Sequence, residues 1–316
     1  MAPESSSWGA VRHVALRLSP PIVTDLIRAA RARRRRDLPG AVGAEVPQPD
    51  VLINPIADGG SLFPPEWEVV ENSDDTWAKL PGWDHHSVAA RQLEKWPGFL
   101  ASVAGPGLMG RSHEGVSGSA DLPSHNTIIS FGYALARSCG GAKSSSVLDW
   151  GGGIGHYYIY ARALLPDVTF DYQIKDVPGL CVAGRQVLPE VQFHDCDDTA
   201  LARTYDFVFT SSALHYVRDP YTQMKRLCAV ARDRIFITRT PFFEKGSDVL
   251  VVQRPHRYGY MTEYAGWIMN LPEFVRFVEA EGFVLERRFL IGEQPYLPDL
   301  EEPGQYFGLL FRRTMR

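Results

Sequence analysis

A run of nine residues, Val147-Leu148-Asp149-Trp150-Gly151-Gly152-Gly153-Ile154-Gly155, closes an apolar stretch and opens a helical one. Glycines at such a junction let the backbone turn tightly and approach a ligand. The helix that follows presents unpaired N–H groups and positive potential. Asp176 lies 21 residues beyond Gly155, just after the next apolar stretch, where a carboxylate can accept both hydroxyls of a ribose. A dinucleotide site needs a third glycine farther on, so that a pyrophosphate can sit on the helix end. This chain has His156, Tyr157 and Tyr158 there, which disfavours a nicotinamide cofactor. Asp149, directly before the turn, suits a ligand that carries an ammonium or sulfonium.

With those residues in place, the run resembles the first motif of the class I S-adenosylmethionine-dependent methyltransferases. The resemblance continues in Lys175-Asp176-Val177-Pro178, in Phe193-His194-Asp195-Cys196, and in Tyr205-Asp206-Phe207-Val208-Phe209 followed by Ser211-Ser212-Ala213-Leu214-His215-Tyr216. It covers residues 145–313. It implies an α/β fold of Rossmann-like type with a seven-stranded methyltransferase sheet in the order 3-2-1-4-5-7-6, the last strand antiparallel. It also implies S-adenosylmethionine as cofactor, held by Asp149, Gly151, Gly152, Gly153, Gly155, Asp176, Asp195, Cys196 and Ser211. In that assignment Asp176 grips the ribose, while Asp195 and the amide after it read the adenine edge. Together with Thr238-Arg239-Thr240-Pro241, the motifs are similar to a little-characterised bacterial group of methyltransferase-like proteins found beside polysaccharide or natural-product genes. That narrower likeness implies no defined substrate.

Methyl transfer from a sulfonium is an in-line displacement, so a protein must mainly align the acceptor and exclude water. A hydroxyl acceptor must also lose a proton, and a histidine can take it. His215 follows the fourth apolar run, at the sheet edge where open α/β folds bind ligands, and is the candidate base. Arg239 ends the fifth run and faces the same rim, either to recognise an acidic acceptor or to pair with a structural carboxylate. Residues 253–270 read as an aromatic insertion, a lid over the acceptor. Candidate substrate residues are Arg254, His256, Tyr260 and Tyr264 from that insertion, together with Tyr216 and His125. The expected reaction is O-methylation of a small-molecule or glycan-type acceptor. Two alternatives stay open, a NAD-dependent oxidoreductase or epimerase on a related fold and a non-catalytic scaffold that keeps the cofactor fold.

The elements that must position these groups show as alternating periodicities from residue 145 onward. Short apolar runs at 146–150, 168–174, 191–194, 207–210 and 235–238 alternate with helical stretches at 156–164, 180–187 and 222–232. A last helix at 272–281 and two strands at 283–291 and 306–312 complete the pattern. Upstream, helical periodicity at 86–100 and 126–138 brackets a glycine-rich loop at 105–118. The expected organisation is a cover over 1–140, made of a basic helix, a linker and a helical layer, followed by a catalytic domain over 141–316.

Composition limits the rest. The 316 residues carry 33 Lys+Arg against 37 Asp+Glu, and 45% are hydrophobic, which is ordinary globular content. Residues 1–36 hold eight arginines against Glu4 and Asp25, a local +6 that leaves −10 on the remainder. The Ile22, Val23, Leu26, Ile27 and Ala30 spacing makes this segment a basic amphipathic helix. It reads as a solvated helix end or as a peripheral anchor on an anionic membrane. The acidic body argues against nucleic acid as partner. Cys139, Cys181, Cys196 and Cys228 form no C-x-x-C pair, so neither a metal site nor a disulfide framework is expected, and a reducing cytoplasm is the natural setting.

Overall fold

The computed structural model describes residues 65–110, 120–298 and 300–314. The basic helix expected near 22–36, with its membrane contact, the linker up to 64, and residues 111–118 of the glycine-rich loop lie outside them. Residues 61–316 form one compact unit, so the expected helical cover shares that unit with the sheet.

The described chain opens with a short strand β1 (Trp67–Val69) and three helices, α1 (Asp74–Lys79), α2 (His86–Ala104) and α3 (Leu122–Cys139). Alternating units follow: β2 (Ser144–Trp150), α4 (His156–Leu164), β3 (Thr169–Lys175), α5 (Pro178–Val187), β4 (Gln192–His194), α6 (Asp197–Ala200) and β5 (Tyr205–Ser211). A 3₁₀ turn at Leu214–Tyr216 leads into α7 (Pro220–Val230), β6 (Ala231–Phe243), β7 (Val249–Gln253) and, after a second 3₁₀ turn at His256–Tyr258, β8 (Tyr264–Asn270). The chain ends with α8 (Leu271–Ala280), β9 (Phe283–Leu290) and β10 (Gln305–Arg313).

Several helices begin where the sequence supplies a start signal. Asp121, Asp219 and Asn270 cap α3, α7 and α8 by accepting from Ser124 N–H, Thr222 N–H and Glu273 N–H. Pro178 and Pro220 occupy first helical positions, where the missing N–H costs nothing.

The expected seven-stranded sheet is corrected to ten strands. One edge runs β4-β3-β2-β5-β6 with every pair parallel, and β6 then pairs antiparallel with β10, which pairs antiparallel with β9. Three strands were not expected. β6 runs 13 residues and outlasts β5, whose last pairing is Ser211 with Thr238. Its spare end, Phe242 and Phe243, pairs with Met269 and Asn270 of β8, and β8 carries β7 and β1 outward in antiparallel register. The segment read as an aromatic lid, 253–270, therefore ends in sheet, with a 3₁₀ turn and loop over 254–263 leading into β8. β7 and β8 are rich in β-branched and aromatic residues, the composition that suits a pleated surface.

Period-2 alternation divides the core between the two faces of the sheet. Val147, Phe207, Phe209 and Phe236 face α3, α4 and α5 through Phe131, Leu135, Tyr160 and Leu180. Their neighbours Leu148, Val208, Ile235 and Ile237 face α7 and α8 through Met224, Leu227, Phe274 and Val278. The in-register parallel pairs bring strand ends into one row, with Trp150 beside Lys175, Lys175 beside His194, and Ser211 beside Thr238. That row is the floor of the site.

Candidate active site

A cavity of about 300 Å³ opens at this row of strand ends, at the small end of the range for ligand pockets. Gly151, Gly152 and Gly153 line it from β2, Lys175 and Asp176 from β3, Ser211, Ser212 and Ala213 from β5, and Arg239 from β6. Helices α2 and α3 close it with Gln92, Ser124, Thr127 and Ile128. Trp77, Trp83, Tyr216 and Tyr264 form an aromatic wall.

The glycine turn is built for close approach. Gly151 has φ +79°, and a Cβ there would lie 2.1 Å from Ala213 Cβ. Gly153 has φ +59°, and its N–H donates to Asp176 Oδ2 at 2.6 Å. Asp176 Oδ1 accepts from Val177 N–H at 2.7 Å, so the carboxylate is fixed by backbone at the end of β3. Burial raises its pKa, opposed by the N–H groups of Val177 and Gly153. Gly155 lies outside the cavity lining. It caps α4 at φ +105°, and any side chain there would strike Leu188.

Asp149 occupies a different place from the one expected. Its carboxyl is fully buried beneath the turn, where a Cβ on Gly152 would meet it at 2.6 Å. Tyr172 hydroxyl donates to Oδ2 at 2.9 Å, and burial pushes the pKa up to about 8. A carboxyl so placed supports the turn and does not line the cavity, which corrects the reading that it meets a cationic ligand.

Four of the remaining expected residues reach the cavity. Ser211 hydroxyl shares a 2.8 Å hydrogen bond with Tyr157 hydroxyl. Tyr264 stacks on Trp83 at 4.4 Å and 17°, and Tyr216 packs against both rings while donating to Gln253 Oε1 at 2.5 Å. Arg239 Nη2 lies 3.1 Å from Glu293 Oε1 and 3.0 Å from Oε2. Ser212 (φ +53°) and Arg239 (φ +48°) are the two non-glycine residues with positive φ among the described residues. Ser212 directly follows the end of β5 and Arg239 lies beside it within β6, the two strands joined there by Ser212 N–H donating to Thr238 C=O. Each such conformation costs about 1–3 kcal/mol and persists where the surroundings impose it.

Other expectations are not met by the geometry. His215 is fully buried and does not line the cavity; its ring lies 3.8 Å from that of Tyr216, because the 3₁₀ turn sends the histidine inward and the tyrosine outward. Direct base catalysis by His215 is therefore corrected to packing beneath Tyr216. Arg254 pairs with Glu68 and Glu263, His256 sits half-buried in a 3₁₀ turn, and Tyr260 is fully buried with its ring against Trp83; none of the three lines the cavity. His125 Nδ1 bonds to the Met109 carbonyl oxygen at 2.7 Å and likewise faces elsewhere. Asp195 and Cys196 are exposed just past β4, on the same sheet edge but outside the cavity lining. Sequence reasoning missed Trp77, Trp83, Gln92 and Lys175. Lys175 Nζ lies over the Trp150 ring at 5.1 Å and 3.6 Å from Asp197.

A family described as a methyltransferase domain matches residues 131–286. Just under half of the chain is thus similar to a methyltransferase domain. S-adenosylmethionine is the cofactor of such a domain, and the glycine turn, Asp176 and the adjoining cavity are the features here that fit it. The solved structures similar to the chain include magnesium protoporphyrin IX methyltransferase from Synechocystis PCC 6803 with bound S-adenosylmethionine, at 14% identity and TM-score 0.40, covering 74% of this chain and 99% of that one. They also include 1,6-didemethyltoxoflavin-N1-methyltransferase from Burkholderia thailandensis, at 16% identity and TM-score 0.42, covering 79% and 95%. A third is the mitomycin 7-O-methyltransferase, at 14% identity and TM-score 0.39, covering 72% and 70%. No curated protein matches the chain. The methyltransferase assignment rests on the domain match together with the site, since these structural likenesses are distant. Among the described residues, no helix is long and apolar enough to cross a membrane.

Proposed function

We propose that the chain transfers a methyl group from S-adenosylmethionine to an oxygen of a small-molecule or glycan-type acceptor. The observation that carries this reading is the meeting of a close-approach glycine turn and the backbone-fixed carboxylate of Asp176 on one cavity that aromatic rings also line. The cofactor supplies an electrophilic methyl group. The glycine turn and Asp176 hold one end of the cavity, Asp176 as acceptor for ribose hydroxyls. Trp77, Trp83, Tyr216 and Tyr264 align the acceptor and exclude water, which is the main work of an in-line displacement. Arg239, held by Glu293, fixes the polar edge of the acceptor side. His215 acts as a positioning residue for Tyr216. Asp195 and Cys196, next along the same sheet edge, are retained for the adenine end.

The rival nicotinamide reading needs a glycine where His156 opens α4. Calorimetry with S-adenosylmethionine, S-adenosylhomocysteine and NAD separates the two. Saturable binding of the first two without NAD is expected, and NAD binding alone would overturn the proposal. Transfer of labelled methyl from bound cofactor to a component of fractionated cell extract then separates an enzyme from a scaffold.

A further inference from the structure

Helix α2 buries Val88, Gln92, Trp96 and Phe99 on one stripe, and Gln92 is the polar member of that set. Only 2% of it is exposed. Its Oε1 is fully buried and has no hydrogen-bond partner. Both amide atoms face the glycine turn, since a Cβ on Gly153 would stand 3.0 Å from Oε1 and 3.7 Å from Nε2. The turn itself cannot satisfy Oε1 through Gly153, because that N–H is already given to Asp176. Gln92 also lines the cavity. A buried acceptor without a donor is costly, and its persistence beside a ligand cavity points to a donor that arrives with the ligand.

We infer that Gln92 Oε1 accepts a hydrogen bond from the ammonium of the cofactor's amino-acid arm, an inference that rests on the S-adenosylmethionine reading above. The cofactor's donors are its adenine amine, its ribose hydroxyls and that ammonium. Asp176, on the other side of Gly153, takes the ribose, and the adenine end lies toward β4. The ammonium is the donor left for the side of the turn that α2 covers. Helix α2 is then part of the cofactor site, and it makes the site selective for ligands that keep the amino-acid arm.

The test compares S-adenosylhomocysteine, which has the arm, with 5′-methylthioadenosine, which lacks it, by calorimetry on the full chain. Gln92→Leu should weaken S-adenosylhomocysteine about 10-fold or more, as expected for loss of a hydrogen bond to a charged group, and leave 5′-methylthioadenosine unchanged. Unchanged binding of the truncated ligand also shows that the variant is folded. Gln92→Glu keeps an acceptor and should retain S-adenosylhomocysteine. Equal losses for both ligands, no loss for either, or a Glu variant weaker than the Leu variant would each overturn the inference while the cofactor reading stands. A wild-type chain that binds neither ligand would overturn both together.

Discussion

The two walls of the cavity are made in different ways. The cofactor wall is local: Gly151, Gly152 and Gly153 are consecutive, and Asp176 is reached through one helix and one strand. Its partners are backbone groups, with Gly153 N–H and Val177 N–H both donating to Asp176. The aromatic wall, which the proposal gives to the acceptor, is assembled from distant pieces. Trp77 and Trp83 come from around α1, Tyr216 from a 3₁₀ turn and Tyr264 from the start of β8, and their contacts are ring against ring. Backbone geometry specified by glycine tolerates almost no change, whereas a cluster of aromatic side chains can be altered in size and direction without unmaking the fold. A constant cofactor and a variable acceptor call for that division.

The largest expected effect lies in the cofactor wall. Gly151→Ala places a Cβ 2.1 Å from Ala213 Cβ on a backbone at φ +79°. Overpacking and a left-handed alanine together should cost about 2–5 kcal/mol and abolish S-adenosylhomocysteine binding. Denaturant unfolding and calorimetry read the two effects separately. Pairing the change with Ala213→Gly removes the collision and leaves the torsional cost, so partial recovery is expected. A Gly151→Ala variant that melts and binds like the wild type would show that the turn is not the rigid half.

Asp176→Asn comes next. The amide can accept from only one of the two N–H groups that the carboxylate now serves, and it brings no charge to a ribose. Affinity for S-adenosylhomocysteine should fall about 10–100-fold, the loss of one or two charge-assisted hydrogen bonds. A change of less than about threefold in calorimetry would take the ribose role away from this residue.

The same contrast explains what could be read from the chain alone. Strands β2 to β6 show as apolar runs, since a parallel sheet buries both faces, and the glycine turn shows because glycine is the residue that takes its positive φ torsions without a steric cost. β8 falls within the stretch 253–270 that reads as a lid, and β7 lies almost wholly before it. Pro255 and Gly259 lie in the connection between the two strands, and the pairing of β8 depends on the length of β6 beyond β5. His215 illustrates a finer failure. Its position after β5 correctly places the residue near the rim, but a 3₁₀ turn decides which of two neighbours faces the cavity, and that rotation has no signature in composition. Gln92 carried a signal that went unused, a polar residue at a buried position of an apolar stripe. Trp83 had none, because its partners Tyr216 and Tyr264 become neighbours only in the folded chain.

The smallest effect on cofactor binding should come from the acceptor wall, and Trp83→Leu is the variant that tests it. The ring stacks on Tyr264 at 4.4 Å and leans on Tyr216 at 5.2 Å, while its backbone takes no part in the glycine turn. Replacing it removes these two contacts and a third with Tyr260, and leaves an aliphatic filler, a loss of about 1–3 kcal/mol in unfolding free energy. S-adenosylhomocysteine affinity should stay within about threefold of wild type, because neither Asp176 nor Gly153 is touched. Labelled-methyl transfer to the acceptor fraction should fall much more than cofactor affinity, since a misaligned acceptor is penalised in rate before it is penalised in binding. If S-adenosylhomocysteine affinity instead dropped as far as in Asp176→Asn, Trp83 would belong to the cofactor wall. The boundary between the two halves would then lie at Tyr216 and Tyr264.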